Sequence, residues 1–324
     1  MNSTVDRLPI LILSPHARCN CRCMMCDIWQ TTDNAQLEAS QIERMLPDME
    51  KLGVEWVVLS GGEALMHAEL FDICKLLRTR GIRITLLSTG LLLARYAALI
   101  CSQIDDVIVS LDGPPEVHDR IRRVAGAFAG LQNGVRRIHE IDPSFSISAR
   151  CTVQQANHAS LVETAEWGCR LGLQSISFLA ADMTSEAFNR PTAWPIFKQD
   201  QIALTEHQIG VLEEQFVEIE TRWRDSSFVL ENREKLQRIV QHFRAHIGLA
   251  KPKAPKCNAP WVSAVIEADG VVRPCFFHQP IGSINQGSLL QALNGPQAIA
   301  FRGSLDVAAH PTCQNCVCSL NWKG

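Results

Sequence analysis

Short runs of β-branched and aliphatic residues recur along the first 180 positions of the chain, and a turn and then a helical pattern follow each of them. Six such runs predict strands at 10–14, 56–60, 82–88, 106–110, 145–149 and 175–179. Between the first two runs, Ser40 and Glu43 predict a capping box at the start of an amphipathic helix. Strands that alternate with helices predict parallel pairing with right-handed crossovers, in a doubly wound sheet or in a closed or partly closed barrel.

The distinctive polar residues of this region come just after the predicted strands. The loop after the first strand is rich in cysteine, and candidate residues also follow the later strands, namely Gly61, Gly62, Glu63, Ser88, Thr89, Ser110, Asp112, Arg150 and Asp182. In parallel α/β folds the carboxyl ends of the strands meet at one face, and that face holds the active site. We therefore expect these loops to contribute to a single site.

Composition and charge narrow the class of protein. The 324 residues are 46% hydrophobic and 20% charged, which is enough apolar side chain for a large core. The net charge is −3 with 31 basic residues scattered among 34 acidic ones, so we expect no nucleic acid partner. No apolar run near the start approaches the about 18 residues of a membrane span and no signal sequence is evident, so we expect a cytoplasmic protein without a membrane partner. In a reduced compartment, 13 cysteines favour metal binding over disulfides.

The patterns divide the chain into three parts. Residues 1–185 hold the strand and helix repeats, and residues 186–256 form a helical connection and linker with amphipathic stretches at 204–224 and 231–246. The last part, residues 257–324, is too short for a sizeable core. We expect a bound metal to supply the missing stability there.

Three cysteines of the first loop have the spacing Cys19-x3-Cys23-x2-Cys26. They offer three thiolates and no obvious fourth ligand, since the extra thiol Cys21 lies outside this spacing. A structural zinc site takes four protein ligands, whereas a site at which another molecule binds the metal leaves one position open. The triplet therefore indicates a metal site with an open position.

This loop resembles that of the radical S-adenosylmethionine (radical SAM) enzymes, whose CxxxCxxC motif holds a [4Fe-4S] cluster by three of its irons. The resemblance extends over the whole chain and implies an α/β fold, a partial (β/α)6 TIM-like barrel with a small cysteine-rich domain at its C-terminus. It also implies that S-adenosylmethionine (SAM) binds the fourth iron and is cleaved to a 5′-deoxyadenosyl radical. Met25 stands where the family usually has an aromatic residue, which affects the packing against adenine more than the cluster.

The turn Gly61-Gly62-Glu63 resembles the GGE motif of the same family. By that resemblance the two glycines let the backbone approach the methionine amino group, and Glu63 accepts its hydrogen bond. Gly-Gly before Glu is common in turns, and the position after the second predicted strand is what makes this motif informative.

Other residues of the predicted site have less specific signatures. Ser110 and Asp112 resemble the family's motif on the ribose side, and Arg150 is expected to pair with the methionine carboxylate. Asp182, after the sixth strand, is the candidate acid–base group near the substrate, and a helix N-cap is an equally good interpretation of it.

The cysteines of the tail follow a second pattern, which reads Cys257, Gly270-x4-Cys275 and Cys313-x2-Cys316-x-Cys318. It resembles the auxiliary-cluster domain called SPASM or its shorter form, the twitch domain. The short form implies one auxiliary [4Fe-4S] cluster, whose ligands would be Cys257, Cys275, Cys313 and Cys316. Cys318 is then a spare, although an exchange with Cys316 is compatible with the spacing. A four-cysteine zinc knuckle satisfies the same spacing and stays open as an alternative.

The resemblance implies an oxygen-sensitive enzyme that abstracts a hydrogen atom from an unactivated carbon, with flavodoxin or ferredoxin as electron donor. A small-molecule substrate is favoured, because relatives with one auxiliary cluster include enzymes of small molecules and because only 18 residues precede Cys19. We expect no fused peptide-recognition domain in so short a segment.

Two alternatives remain at this stage. The chain could be a peptide maturase of the same superfamily, which crosslinks or epimerises residues. It could also be a non-catalytic metal-binding or electron-transfer protein, and the intact cysteine triplet together with Glu63 speaks against that alternative.

Overall fold

The computed structural model describes residues 3–190 and 192–323, and these residues form nine strands in one sheet. Six strands lie where the hydrophobic runs predict them, namely β1 (Ile10–Leu13), β2 (Trp56–Leu59), β3 (Arg83–Ser88), β4 (Asp106–Ser110), β5 (Ser146–Val153) and β6 (Ile176–Ala180). Three belong to the tail, namely β7 (Ser263–Ile266), β8 (Val271–Arg273) and β9 (Gly282–Ser283). The order β6-β5-β4-β3-β2-β1-β7-β8-β9, with β1 to β6 parallel to their neighbours, agrees with the partial barrel that the resemblance implies.

Helices follow the strands as crossovers and then dominate the connection to the tail. Six accompany the barrel, namely α1 (Ala39–Lys51), α2 (Leu70–Arg78), α3 (Leu93–Gln103), α4 (Pro115–Arg122), α5 (Ala127–Ile141) and α6 (Leu161–Arg170). The connection holds α7 (Ile196–Gln199), α8 (Glu206–Arg222) and α9 (Arg233–His246). The tail holds α10 (Ala259–Val262), α11 (Leu289–Asn294), α12 (Pro296–Ser304) and α13 (Pro311–Gln314).

The strands have two chemically different faces. One face packs under the helices and is apolar, as the fully buried Val57, Val107 and Ile147 illustrate. The other face lines the barrel interior, and there Ser110 and Arg150 lie opposite each other in the β4–β5 register. Because side chains alternate along a strand, the same short runs build both the core and the wall of the site.

Two predicted boundaries differ from the structure. β5 continues to Val153, beyond the predicted end at 149, so Arg150 lies within a strand and not in the loop after it. Helix α1 has its capping box on Glu38 and Gln41, not on Ser40 and Glu43. Glu38 takes the extended conformation of an N-cap and its amide donates to Gln41 Oε1 over 2.8 Å, which places Ser40 inside the first turn.

The tail is continuous with the barrel sheet. β7 pairs in parallel with β1, with Ile10 opposite Ser263 and Leu13 opposite Ile266. β8 and β9 add antiparallel strands beyond it. The hydrogen-bonded sheet therefore crosses the predicted domain boundary at residue 257. The cysteine loop follows β1, and the tail contains the neighbouring strand β7.

The opposite edge of the barrel is covered by the chain between α8 and α9. The amide of Ile176 donates to Phe228 O over 2.7 Å, and the amide of Leu230 donates to Ile176 O over 3.0 Å. Within residues 3–190 and 192–323, none of the helices combines the length and the apolar character needed to cross a bilayer.

Candidate active site

The cysteine loop lies between β1 and α1 and rests on the last turn of α4. The amide of Arg22 donates to Arg122 O and the amide of Met24 donates to Ile121 O, each over 3.0 Å. These contacts fix the backbone on both sides of Cys23. Backbone hydrogen bonds to α4 therefore define the shape of the loop around Cys23.

The three thiols of the motif have different surroundings. Burial raises the pKa of Cys19 to about 11 and that of Cys26 to about 12, so both stay protonated at neutral pH until a metal displaces the proton. The pKa of Cys23 is lowered, first by a hydrogen bond from the thiol of Cys21 and then by the nearby Arg122 guanidinium. A set of three thiols grouped in this way has the donor chemistry that an iron–sulfur cluster needs.

The Gly61-Gly62 turn after β2 packs against the chain around the cysteine loop. A Cβ at Gly61 would lie 2.7 Å from the Cβ of Ser14, and Gly61 has φ +94°. A Cβ at Gly62 would lie 2.0 Å from the carbonyl oxygen of Arg18. Only glycine fits at these two positions, because the neighbouring atoms belong largely to backbone or to short side chains.

Glu63 is fully buried and braces the ends of β2 and β3. Its carboxylate accepts hydrogen bonds from the Thr89 amide and hydroxyl, each over 2.7 Å, from the Ser88 hydroxyl over 3.0 Å and from the Leu65 amide over 3.2 Å. Burial raises the pKa of this carboxyl, and the donors from Thr89 oppose that rise. The Thr89 hydroxyl also lies 3.0 Å from Asn20 Oδ1, so Glu63 connects indirectly to the cysteine loop.

Ser110 and Arg150 are accessible from the barrel interior. Arg150 is exposed, and its Nε donates to the hydroxyl of Ser177 on β6 over 3.3 Å. A cation in this position can bind an anionic group such as a carboxylate. Ser110 and Arg150 thus lie side by side on neighbouring strands, and their predicted role in binding SAM stays a prediction.

Asp112 is fully buried at the end of β4. It forms an ion pair with Arg122, and its Oδ1 accepts a hydrogen bond from the Thr152 amide over 2.9 Å. Through Arg122 it connects to Cys23. The predicted role of Ser110 and Asp112 on the ribose side of SAM stays a prediction.

Asp182 follows β6 at the predicted place and is also buried. Its Oδ2 pairs with Nη1 of Arg190 over 2.6 Å and accepts a hydrogen bond from the Ser185 hydroxyl. Arg190 in turn donates to the carbonyl oxygen of Met25 over 3.0 Å. Asp182 thus anchors the segment after β6 to the cysteine loop, and its predicted acid–base role stays a prediction.

The tail cysteines surround one largely apolar cavity of about 160 Å³, which Cys257, Cys275, Cys313, Cys316 and Cys318 line. Besides burial, the proximity of Cys257 contributes to raising the pKa values of Cys275, Cys313 and Cys316. Burial raises the pKa of Cys275 to about 12 and that of Cys313 to about 11. Thiols at one apolar cavity fit an iron–sulfur cluster, and besides burial the charges of Arg150 and Asp182 also act on the pKa of Cys318.

Two histidines lie beside the tail cavity. His278 Nε2 is 3.3 Å from Cys313 Sγ, and the rings of His278 and His310 have centroids 4.8 Å apart. The ligand atoms of His278, His310 and Cys313 all lie within 4.8 Å of one another. Nitrogen and sulfur ligands of this kind also suit zinc, so geometry alone does not decide between iron and zinc.

Comparison with known families supports iron rather than zinc at the tail cysteines. The family model of the radical SAM superfamily matches residues 13–168, and the model of the SPASM iron–sulfur cluster-binding domain matches residues 257–317. The chain belongs to the radical SAM superfamily. The predicted cofactors are confirmed, since a radical SAM domain carries a [4Fe-4S] cluster with SAM and a SPASM domain carries auxiliary iron–sulfur chemistry.

Two curated proteins illustrate how this radical SAM chain is related to others. Fe-coproporphyrin III synthase of Methanosarcina barkeri is 27% identical over 47% of this chain and 39% of its own length. A probable GTP 3′,8-cyclase of Thermococcus kodakarensis is 28% identical over 57% of this chain and 62% of its own length. The chain therefore matches less than two thirds of the length of either relative.

A solved structure supports the fold over nearly the whole radical SAM chain. Streptococcus suis SuiB bound to S-adenosylmethionine superposes with a TM-score of 0.69 at 13% identity, covering 98% of this chain and 74% of SuiB. At this identity the likeness concerns the fold alone. The predicted α/β class with a partial barrel is confirmed.

Several residues of this radical SAM site had no signal in the sequence. Arg122 and Arg190 are buried cations that contact the cysteine loop. Asp27, just after Cys26, receives hydrogen bonds from Trp194 Nε1 and Lys198 Nζ, whose separations along the sequence are 167 and 171 residues. Residues that are so far apart along the chain have no characteristic spacing, so the sequence does not reveal that they are in contact.

Proposed function

We propose that the chain reductively cleaves SAM and uses the resulting radical to abstract a hydrogen atom from a small-molecule substrate, as an oxidation or rearrangement enzyme. The observation that carries the proposal is the triplet Cys19, Cys23 and Cys26 on a fixed loop, in backbone contact with the Gly61-Gly62 turn. Three protein thiolates leave one iron for another ligand. A closed structural metal site would need a fourth protein ligand.

Different residues of the chain bind the cluster and SAM. Cys19, Cys23 and Cys26 hold the cluster, and the glycine turn provides backbone without side chains at the place where the methionine amino group would approach. Arg150 and Ser110 bind the charged and hydroxyl groups of SAM from the interior wall. When bound, the cluster and SAM supply a 5′-deoxyadenosyl radical from one-electron cleavage of the sulfonium bond.

We propose that Glu63 has a structural part in addition to the one that the motif implies. Because its carboxylate accepts bonds from Thr89, Ser88 and Leu65, it holds the turn in place and supports the neighbouring backbone. Contact with the methionine amino group, the role of the motif glutamate, requires one of these donors to be exchanged. Glu63 is therefore proposed as a brace first and as a SAM ligand second.

The tail is proposed to hold one auxiliary [4Fe-4S] cluster on Cys257, Cys275, Cys313 and Cys316. Cys318 lines the same cavity, and the charges of Arg150 and Asp182 in the barrel act on its thiol. An electron acceptor at this place can take up the electron that an oxidised substrate releases. A flavodoxin or ferredoxin is proposed as the donor that reduces the first cluster.

A small-molecule substrate is supported by the names of the curated relatives, which refer to a porphyrin and to GTP. SuiB, which has also been solved with its precursor peptide SuiA, shares only the fold with this chain. A peptide substrate is therefore the second outcome of the substrate test. In that test, metabolite and peptide fractions of a cell extract are added separately, and the substrate class is the fraction that accelerates SAM cleavage.

The activity itself is tested on the anaerobically reconstituted full chain with dithionite and SAM. We expect 5′-deoxyadenosine to accumulate, and we expect the variant with Cys19, Cys23 and Cys26 replaced by alanine to form none. Cys169→Ala is the matched control, because Cys169 is an exposed thiol on α6 outside both cysteine groups. Cleavage by the triple variant would contradict the proposal. Absence of cleavage by the fully iron-loaded and reduced wild type would favour the non-catalytic alternative.

A further inference from the structure

Arg122 places a positive charge inside the protein next to the cysteine loop. Its side chain is 7% exposed, and its ion-pair partner Asp112 is completely buried. Its Nη1 donates a hydrogen bond to the Sγ of Cys23 over 3.4 Å. Within the described part of the chain, Cys23 is the one cysteine whose sulfur accepts a hydrogen bond from an arginine or lysine.

The loop does not need this side chain to keep its place. Two backbone hydrogen bonds, from Arg22 and Met24 to the carbonyl oxygens at the end of α4, already fix it. The guanidinium adds no backbone anchor among the residues described, since its Nη1 donates to Cys23 Sγ, its Nη2 pairs with Asp112 and its Nε has no hydrogen-bond partner. A buried ion pair is also a weak source of stability, because desolvation offsets much of the attraction. The specific contribution of Arg122 is therefore a fixed positive charge next to the Sγ of Cys23.

The sign of that charge matters for a cluster on Cys19, Cys23 and Cys26. A cluster held by three thiolates becomes more negative when it accepts an electron. A cation and a hydrogen bond at a ligating sulfur stabilise the more negative state more strongly, and the low dielectric of the interior enlarges the difference. Asp112 acts in the opposite direction, but it lies behind the guanidinium and is fixed there by the Thr152 amide.

We propose that Arg122, oriented by Asp112, favours one-electron reduction of the cluster that Cys19, Cys23 and Cys26 hold. Arg122 is a positioning residue that acts through Cys23, and the inference rests on the proposed function. In this step one electron passes from a donor protein of the flavodoxin or ferredoxin class to the cluster. The donor is oxidised, the cluster is reduced, and no bond is made or broken.

Two substitutions with opposite effects on charge test the proposal. Arg122→Gln removes the cation and keeps an amide donor, whereas Asp112→Asn removes the compensating anion. The full chain with both clusters is titrated potentiometrically, and the first cluster is followed by the part of the EPR signal that changes when SAM is added. At a fixed applied potential we expect Arg122→Gln to lower the ratio of reduced to oxidised cluster at least tenfold, which is about 59 mV for a one-electron couple. We expect Asp112→Asn to raise the ratio and Arg122→Lys to restore most of the loss.

The matched control is Arg302→Gln. Arg302 is a buried arginine of the tail that donates to the carbonyl oxygens of Pro260 and Leu293, so it reports the effect of losing a buried guanidinium elsewhere. Its substitution should leave the ratio of the first cluster unchanged. A purely structural role for Arg122 would not produce shifts of opposite sign.

The proposal is overturned if iron-loaded Arg122→Gln and Asp112→Asn both keep the wild-type ratio or both shift it in the same direction. If Arg122→Gln does not load iron, Asp112→Asn decides, because a raised ratio supports the proposal and an unchanged or lowered ratio overturns it. Failure of the proposed function has a separate readout, namely absence of SAM cleavage by wild type with dithionite, and it leaves these potentials measurable.

Discussion

Gly62 and Arg18 meet backbone to backbone, so closely that a Cβ on Gly62 would lie 2.0 Å from the carbonyl oxygen of Arg18. The same carbonyl accepts a hydrogen bond from the Glu63 amide over 2.9 Å. Arg18 immediately precedes Cys19. The glycine turn after β2 and the cysteine loop after β1 therefore form one unit, and neither can shift without the other.

The first prediction concerns Gly62→Ala. Because the added methyl group meets backbone atoms, the cysteine loop must move, and we expect most of the iron of the first site to be lost. The cost in stability should be about 1–3 kcal/mol, as for other overpacked positions. Iron per chain and the urea midpoint measure the two effects. Gly210→Ala is the control, since nothing lies within 4 Å of that position in α8, and it should retain all iron. Full iron in Gly62→Ala would refute the rigid-unit interpretation.

The second prediction separates the two cysteine groups by iron content. Wild type should hold about eight iron atoms per chain if both sites are four-iron clusters, and the triple alanine variant of the first loop should keep about four. Cys275→Ala should also keep about four and should destabilise the tail, because metal binding in so small a unit contributes to folding. Cys318→Ala should change neither count if Cys318 is a spare.

The same measurement exposes the zinc alternative. Iron near four in wild type, with about one zinc that survives loss of the first loop, would mean that the tail binds zinc. The proposed auxiliary cluster would then have to be withdrawn. A loss of iron in Cys318→Ala equal to that in Cys316→Ala would place Cys318 among the ligands.

The third prediction concerns acid sensitivity. Burial lowers the pKa of His118 to about 3, with a smaller contribution from Arg122. An unfolded histidine titrates at about 6.5, so the unfolded chain binds the proton first and stability falls as the pH drops from about 6.5 toward 3. At pH 5 the loss from this residue should be about 2 kcal/mol relative to pH 7.5.

His118→Asn tests this, because an asparagine oxygen can replace Nδ1 as acceptor for the Asp112 amide, which donates over 3.2 Å. The difference in free energy of unfolding between the two pH values should shrink by about 2 kcal/mol. Urea unfolding followed by tryptophan fluorescence gives that difference. His207→Asn, at an exposed position of α8, should leave it unchanged. An undiminished difference in His118→Asn would count against the buried neutral imidazole.

The fourth prediction concerns Asp182→Asn. The substitution leaves Arg190, whose side chain is fully buried, without its counter-charge, and we expect a loss of about 3–5 kcal/mol. Replacing both residues by leucine should recover part of it, since an apolar pair carries no buried charge. Urea unfolding measures stability and product formation measures activity. Wild-type stability with lost product formation would instead favour the predicted acid–base role.

The barrel could be predicted because its signals are local. Each strand is a run of β-branched residues that must be buried, and the polar residues after it fall at one face by topology. The direction of a single side chain is not a local property. Asp112 follows β4 as expected, yet its orientation depends on Arg122, whose other partner, Cys23, is 99 residues away. The pairing of the four-residue β7 with β1 was equally beyond local signals, because a short apolar run does not specify its neighbour.

The β1–β7 pairing has a consequence for synthesis of the chain. β1 is complete at residue 13, and its second neighbour begins at residue 263, so this edge stays open while 250 residues are added. At about 5–20 residues per second the interval is roughly 12–50 s. During that time the nascent barrel exposes the unpaired backbone of β1, the strand that leads into the cysteine loop. An unpaired strand edge can pair with another chain and so promotes aggregation. A ribosome that slows before residue 263 would prolong that exposure, so translation speed, and not only iron supply, should limit how much soluble protein a cell recovers.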